Sequence, residues 1–485
     1  MMDWFSAPNY SIARFVIERG LGIIYLVAFL VAFNQFVPLL GERGLLPVPQ
    51  YLRGLGFWEA PSLFYFGYSD RLLKAVSVTG IVLSLAIVLG LPQAGPLWLP
   101  MLVWFVLWAL YLSIVNVGQT FYGFGWESLL LEAGFLAIFL GNARTAPPFL
   151  VLLLFRWLAF RLELGAGLIK LRGDPCWRDL TCMNYHHETQ PMPNPLSWYF
   201  HRLPPGLHRF EVLGNHVAQL VGPWLLFLPQ PIAAVGGIMM IGTQAYLVVS
   251  GNYAWLNWLT ILTAVSVLPD GLFRALIPGA GAAAGLAPPA WFVAAVLVLT
   301  VVVVVLSYWP VRNLFGRRQL MNYSFNRLHL VGTYGAFGSV TRQRYEVVVE
   351  GTDATEPSDA AEWREYEFRG KPGDPRRRPP QVAPYHLRLD WQMWFAALSP
   401  GYAAGWFQPF VGKLLEGDRA TLGLLRHNPF PDKPPTWIRA RYYLYRFTTW
   451  PERRETGAWW VRELMGEYLR PVRLARATAD GRASG

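Results

Sequence analysis

Residues 290–309 contain no charged side chain, and the run VLVLTVVVVVLSYWP closes at Pro310. A helix of about 20 apolar residues crosses a hydrocarbon core about 30 Å thick while keeping its backbone hydrogen bonds to itself. A stretch of this kind restricts the chain to a membrane or to a large buried core. Comparable stretches lie at 21–40, 75–92, 97–116, 128–141, 148–167, 208–228, 231–249 and 253–269. The pattern predicts about nine spans, with 128–141 short and 231–249 plus 253–269 readable as a re-entrant pair.

Composition supports a membrane setting. Charged residues make up 15% of the chain, against about 25% in soluble domains. The 22 Trp, 22 Tyr and 30 Phe suit membrane–water interfaces, where aromatic rings settle. The net charge of +11 fits attraction to anionic lipid. No basic stripe is interleaved with stacking aromatics, so nucleic acid is excluded as a partner. The N-terminal MMDWFSAPNYSIARFVIERG runs into an apolar span without a small-residue cleavage site and reads as an uncleaved anchor.

After Pro310 the charge density rises, and no further span follows. The expected fold is therefore mainly α: a polytopic helical membrane domain over 1–315 and a soluble α+β domain over 316–485. In the second part, Tyr345–Glu350, Glu365–Arg369 and Ile438–Phe447 read as strands, with Gly351, Thr352 and Asp353 supplying a turn. Helical patterns occupy 390–400 and 403–416, 372–380 reads as a loop, and 457–469 reads as an amphipathic helix.

A large polar loop at 168–207 concentrates the residues best suited to a site. On a helix through 148–170, Arg156, Glu163 and Lys170 fall at i, i+7 and i+14 and share one narrow stripe. Charges at such depth face a protein interior or water and are functional candidates; the plainer reading has Arg156 and Lys170 snorkelling from the two ends. Gly165 and Gly167 permit a close neighbour. Glu127 and Glu132 are candidate partners for Arg156 or Arg161, or interfacial groups. Asn252 and Asn257 are placed to bond between helices or to break a span at Gly251.

Further along come Asn184, Tyr185, His186, His187, Glu188 and Gln190, then Trp198. A zinc reading would need His201, His208 or His216 to complete it. Adjacent histidines lack the i, i+4 spacing that puts two ligands on one helix face, so no metal is expected. A hydrogen-bonded loop core or a partner surface is the reading adopted. Cys176 and Cys182 are too widely spaced for a CxxC redox motif. They form either a disulfide, which needs an oxidising compartment, or two buried thiols.

Five segments carry a family resemblance: GFGWESLLLEAGFLAIFL (123–140), LTCMNYHHETQPMPNPLSWYFH (180–201), GNYAWLNWLTI (251–261), RLDWQMWFAAL (388–398) and NPFPDKPP (428–435). Together with LLGERGLLPV at 39–48 and RYYLYRF at 441–447, they resemble the lipase maturation factor family along nearly the whole chain. The resemblance implies a polytopic membrane protein that assists folding and assembly of secreted lipases, in the endoplasmic reticulum of eukaryotes. It marks Asp390, Trp391, Trp394, Asn428, Pro429 and Phe430 as a motif of the client-associated C-terminal region. The chain ends GRASG without a luminal retention signal, and its Ala, Gly, Arg and Pro usage suggests a bacterial inner-membrane protein. A fainter similarity links ELGAGLIKLRGDPCW (163–177) to vitamin K-dependent gamma-carboxylases. There a lysine at the place of Lys170 serves as the base that deprotonates a reduced quinone.

Three function classes follow. The first is a non-enzymatic folding factor whose partners are membrane lipid and an exported, lipase-like client. The second is a lipid- or quinone-dependent enzyme with Lys170 as base, aided by Glu163 and with His187 or Glu188 as proton relay. The third is a redox factor cycling Cys176 and Cys182. The first is preferred, and it requires no cofactor beyond a bound lipid or quinone. Arg172, Arg178, Arg312, Arg317 and Arg318 favour a cytoplasmic face for the loop and tail. The resemblance and a disulfide favour the opposite face, which is the orientation adopted.

Overall fold

The computed structural model describes residues 4–277 and 285–475, so the GRASG end lies outside the described residues. The chain divides into two compact units, each discontinuous in sequence. The first comprises Met1–Phe36, Val48–Arg342 and Pro380–His386; the second comprises Val37–Pro47, Gln343–Pro379 and Leu387–Gly485. The division expected at 315/316 falls inside the first unit.

The first unit is helical. Its long elements are α1 (Ser11–Leu40), α2 (Asp70–Leu89), α3 (Trp98–Asn116), α4 (Gly125–Ala137) and α5 (Phe149–Arg172). Ser69 starts α2 by accepting a hydrogen bond from the Leu72 N–H, and Gly90 ends it at φ 82°, a conformation that glycine adopts without a Cβ clash. The polar segment follows as short helices: α6 (Pro175–Arg178), α7 (Met183–Thr189), α8 (Ser197–His201) and α9 (Pro205–His216). A π turn at Val217–Val221 leads into Gly222–Leu225. Then come α10 (Ile232–Ser250), α11 (Leu256–Val265), α12 (Asp270–Leu276), α13 (Ala290–Leu306) and α14 (Tyr308–Phe315).

Among the described residues, five helices are long and apolar enough to cross a membrane: Pro8–Leu40, Asp70–Leu89, Trp98–Asn116, Ile232–Ser250 and Ala290–Phe315. The pair α11 and α12, bent by 111°, brings the number to six if it counts as one span. The nine expected spans are therefore too many. Helix α4 has only 13 residues and is almost wholly buried; at 1.5 Å per residue it is about 20 Å long. Helix α5 carries Arg156, Arg161 and Glu163 in its interior, all buried. The 208–228 run breaks at the π turn. Sequence windows score helices packed inside a protein much as they score helices facing lipid, because both are rich in apolar residues over most of their surface. In contrast, α13 keeps Val298, Val301, Val304 and Val305 more than 60% exposed, a face suited to acyl chains. The 231–249 stretch stands as a helix of its own, so the bend belongs to α11 and α12 alone.

Residues Pro380–His386 return to the first unit and are held by buried amides. Asn252 Oδ1 accepts from the N–H groups of Val382 (2.8 Å) and Ala383 (2.9 Å), and its Nδ2 donates to the Pro380 carbonyl at 2.9 Å. Gln35 Nε2 donates to the His386 carbonyl at 2.7 Å.

The second unit is built on an antiparallel sheet of order β4-β3-β5-β6, with β3 (Arg344–Thr352), β4 (Arg364–Glu365), β5 (Trp437–Phe447) and β6 (Trp460–Val472). Strands β1 (Tyr323–Ser324) and β2 (Gly332–Thr333) form a separate small ladder in the first unit. The β3–β5 register runs unbroken from Arg344 opposite Tyr445 to Thr352 opposite Trp437. The expected strand at Glu365–Arg369 shrinks to Arg364–Glu365 plus one bridge from Glu367 to His427. The amphipathic helix expected at 457–469 is instead strand β6. Register shifts between β5 and β6 interrupt the alternation of β6, which hides its period of two in the sequence. Helices α15 (Arg388–Leu398), α16 (Phe407–Leu415) and α17 (Trp450–Thr456) complete the unit.

Candidate functional site

The charged stripe of α5 faces the interior of the helical unit. Arg156 donates to the Ser266 carbonyl from Nη2 (3.3 Å) and lies over the Tyr10 ring at 5.4 Å. Glu163 accepts from Gln244 Nε2 at 2.6 Å, and Gln244 accepts in turn from Asn257 Nδ2 at 2.7 Å. Lys170 donates to Gln219 Oε1 at 2.8 Å and Asn215 Oδ1 at 3.1 Å, with its ammonium 4.8 Å from the Trp177 ring centre. All three side chains are buried, so the snorkelling alternative does not hold. Glu132 takes Arg161, not Arg156, as its partner.

Gly165 and Gly167 make room along the same helix. A Cβ at Gly165 would meet the Tyr334 carbonyl, and one at Gly167 would sit 2.7 Å from the Leu220 side chain. Lys170 looks onto a mostly apolar recess of about 280 Å³, lined also by Trp177, Met183, Phe210, Leu247 and Phe337. His186, Glu211 and Tyr246 add polar groups to its wall.

The segment expected as a polar loop is a chain of short helices fixed by side-chain bonds. Asp174 caps α6, accepting from the Cys176 N–H at 3.0 Å. Cys176 and Cys182 are joined as a disulfide with their Cα atoms 4.8 Å apart, buried beside Trp177, Met183 and Val340. On α7, His186 Nε2 meets the Tyr253 hydroxyl at 2.8 Å, and that hydroxyl donates to Gln190 Oε1 at 2.6 Å. Gln190 also donates to Ser197 Oγ at 2.9 Å and to the Ser250 carbonyl at 3.1 Å.

Glu188 pairs with His201 at 3.5 Å. Trp198 is buried under the Arg202 guanidinium, and the Tyr185 ring lies under Arg342 at 4.8 Å. Asn184 stays half-exposed. The adjacent histidines thus part company: His186 turns to Tyr253, whereas His187 turns to α9.

There His187, His208 and Glu211 converge. One ligand-capable atom from each lies within 4.8 Å of the other two. His208 Nδ1 lies 2.7 Å from Glu211 Oε2, His187 Nε2 lies 3.4 Å from Glu211 Oε1, and the Tyr246 hydroxyl donates to Glu211 Oε1. Burial pushes the Glu211 carboxyl up, but the close approach of His187, the His208 ring and the Tyr246 hydroxyl outweighs it and holds it at about 2. Burial also holds His187 below the usual imidazole range, and it takes His186 down to about 3.

The sequence reading passes over Glu211, Asn215 and Gln219, which lie in the span expected at 208–228, and over Tyr246, which lies in the one expected at 231–249. The signal available was the i, i+3 pair of His208 and Glu211, which shares one helix face.

In the second unit, Asp390 is buried and accepts from the N–H groups of Gly370 (2.6 Å) and Lys371 (3.1 Å). Trp391 is buried, and Trp394, half-exposed, packs against it at 6.4 Å. Asn428 folds the motif at 428–430 back on itself: its Oδ1 accepts from the Phe430 N–H and its Nδ2 donates to the Phe430 carbonyl, each at 3.0 Å. The Pro429 carbonyl accepts from Arg364 at 2.9 Å. Arg364 also lies over the Phe430 ring at 4.0 Å. These residues knit the sheet to its connecting segments.

An apolar helical unit with lipid-suited faces and a strand-bearing C-terminal unit define an integral membrane protein. Residues 12–275 match the lipase maturation factor transmembrane domain, and residues 330–470 match the lipase maturation factor C-terminal domain. The chain belongs to the lipase maturation factor family. It is 43% identical to lipase maturation factor 1 of Homo sapiens over 502 residues, covering 96% of this chain and 88% of the relative. It is 42% identical to the Bos taurus protein of the same name, covering 96% and 90%. Identity to lipase maturation factor 2 of Xenopus laevis is 31%, covering 96% and 83%. No solved structure matches the chain significantly.

Proposed function

We propose that this chain is a membrane-embedded maturation factor for exported proteins of the lipase class. The observation that carries this reading is the match to both family domains, with 43% identity to a lipase maturation factor over 96% of the chain. Its mechanism is non-covalent: it holds aggregation-prone client surfaces until they pack. Strand β6 is the outer strand of its sheet, with Leu464 and Met465 about half exposed. An outer strand offers unpaired backbone groups to an extended client segment, and flanking apolar side chains add affinity. The short helices of 168–207 supply a second contact surface.

The test is the specific activity of secreted lipase, measured as activity per mass of lipase antigen, in cells lacking this chain. Complementation by wild type should restore it severalfold. The exposed pair L464K/M465K should express normally and restore little. Unchanged lipase activity in the deletion strain would overturn the maturation reading; full rescue by L464K/M465K would overturn the role of β6.

A further inference from the structure

The convergence of His187, His208 and Glu211 is stronger than a structural hydrogen-bond network requires. His187 is only 1% exposed, and neither ring nitrogen makes a well-aligned hydrogen bond. Across the gap its Nε2 faces Glu211 Oε1 at 3.4 Å. A buried polar group left in that state opposes folding, and a sequence that needed only packing would place a phenylalanine or leucine there. The ring is nevertheless held in place, stacked on Phe200 at 5.5 Å and set beside His208 at 5.8 Å. It is aimed at a carboxylate that already has a second support in Tyr246.

We propose that His187, His208 and Glu211 bind a divalent transition-metal ion of the zinc class. Two imidazoles and one carboxylate are a three-residue zinc ligand set that leaves a coordination position for water. The two nitrogens argue against calcium and magnesium, which take oxygen ligands. Cysteine ligation is closed off, because both thiols are consumed in the disulfide. The supporting contacts are in place: the Tyr246 hydroxyl on Glu211 orients the carboxylate, as outer-shell donors do at metal sites.

Coordination exchanges the His208–Glu211 hydrogen bond for two metal bonds. His208 Nδ1 gives up the proton it shares with Glu211 Oε2 and the ring takes the tautomer protonated on Nε2, so Nδ1 presents a lone pair to the ion and the count of protons on the neutral ring is unchanged. The ion would tie α7 to α9, and through Tyr246 to α10, beside the recess under Lys170. Its role there is to clamp these helices.

The test uses the full chain in detergent, purified through a tag without histidine, loaded with Zn²⁺ and desalted before metal analysis. About one zinc per chain is expected, falling at least tenfold in H187Q and in the E211Q/H208N pair. H216N, which alters a histidine outside the triad, should keep the ion. Because the triad variants could misfold, Co²⁺ loading of the wild type provides a second readout. A visible d–d spectrum, bleached by stoichiometric Zn²⁺, is expected. Wild type that retains no zinc and gives no cobalt spectrum would overturn the proposal, as would full zinc retention in E211Q/H208N or its loss in H216N alone.

Discussion

Arg342 Nη2 lies 2.7 Å from Asp174 Oδ1, closing an ion pair over the cap of the disulfide-bearing turn. The Asp174 carboxylate also accepts from the N–H groups of Cys176 at 3.0 Å and Val340 at 3.3 Å. The hydrogen bonds from Arg342 are the largest influence and hold its carboxyl down at about 2, against the opposing effect of burial. The folded-state value lies below the ordinary 3.8, so the contribution is present above that pH and is lost as pH falls through about 2.

The variant D174N keeps a capping oxygen, since asparagine serves at this position as well as aspartate, and should therefore lower stability at neutral pH by about 1 kcal/mol or less, from loss of the partly exposed ion pair. It should also flatten the fall in unfolding temperature between about pH 4 and pH 2. Thermal unfolding of detergent-solubilised protein across that range checks both. An unchanged acid limb would show that other carboxylates set it.

The Cys176–Cys182 bond closes a short loop, with a sequence separation of 6. The chain-entropy relation assigns such a loop about 2 kcal/mol. The pair C176S/C182S should fold, unfold at a lower temperature than wild type, and become insensitive to reductant. Non-reducing peptide mapping of the wild type should recover the linked pair.

Glu132 and Arg161 form an ion pair with each side chain 1% exposed. Glu132 also accepts from the Gly332 N–H at 3.0 Å and the Tyr334 hydroxyl at 2.7 Å. E132Q leaves a guanidinium buried without its counter-charge and should destabilise by about 3–5 kcal/mol. E132Q/R161M should recover much of that loss, which a double-mutant cycle measures. Equal loss in the single and double variants would mean that packing, not charge, dominates.

In the second unit, a Cβ at Gly351 would sit 2.6 Å from the Phe430 ring and 3.0 Å from Pro435. G351A must displace a ring already fixed under Arg364, so a destabilisation of about 1–3 kcal/mol is expected, as for other overpacked cores. G351A/F430L should relieve it. Unfolding of the pair midway between wild type and G351A would support the contact as the cause.

The sequence made the membrane class, the strand at Ile438–Phe447 and the stripe of Arg156, Glu163 and Lys170 legible, because each rests on local periodicity. Span number was not legible: α4 and α5 are rich in leucine and phenylalanine because protein packs around them, and hydropathy does not distinguish a leucine against lipid from one against a tryptophan. The triad was half legible. His208 and Glu211 share a helix face, but His187 reaches them through the turn geometry of 190–204, which no spacing rule encodes. Strand β6 was missed because shifts in its pairing interrupt the alternation that marks a strand.

Asn252 holding Pro380, Val382 and Ala383 has a consequence for how the protein is made. The helical unit is missing one of its own pieces until residue 386 has left the ribosome. Insertion of the hydrophobic helices and completion of their fold are thus separate events in time. During that interval the buried amides of Asn252 and Gln35 await partners translated more than a hundred residues later. A premature stop before Pro380 removes more than a tail: it leaves a half-finished bundle in the membrane, exposed to quality-control proteolysis.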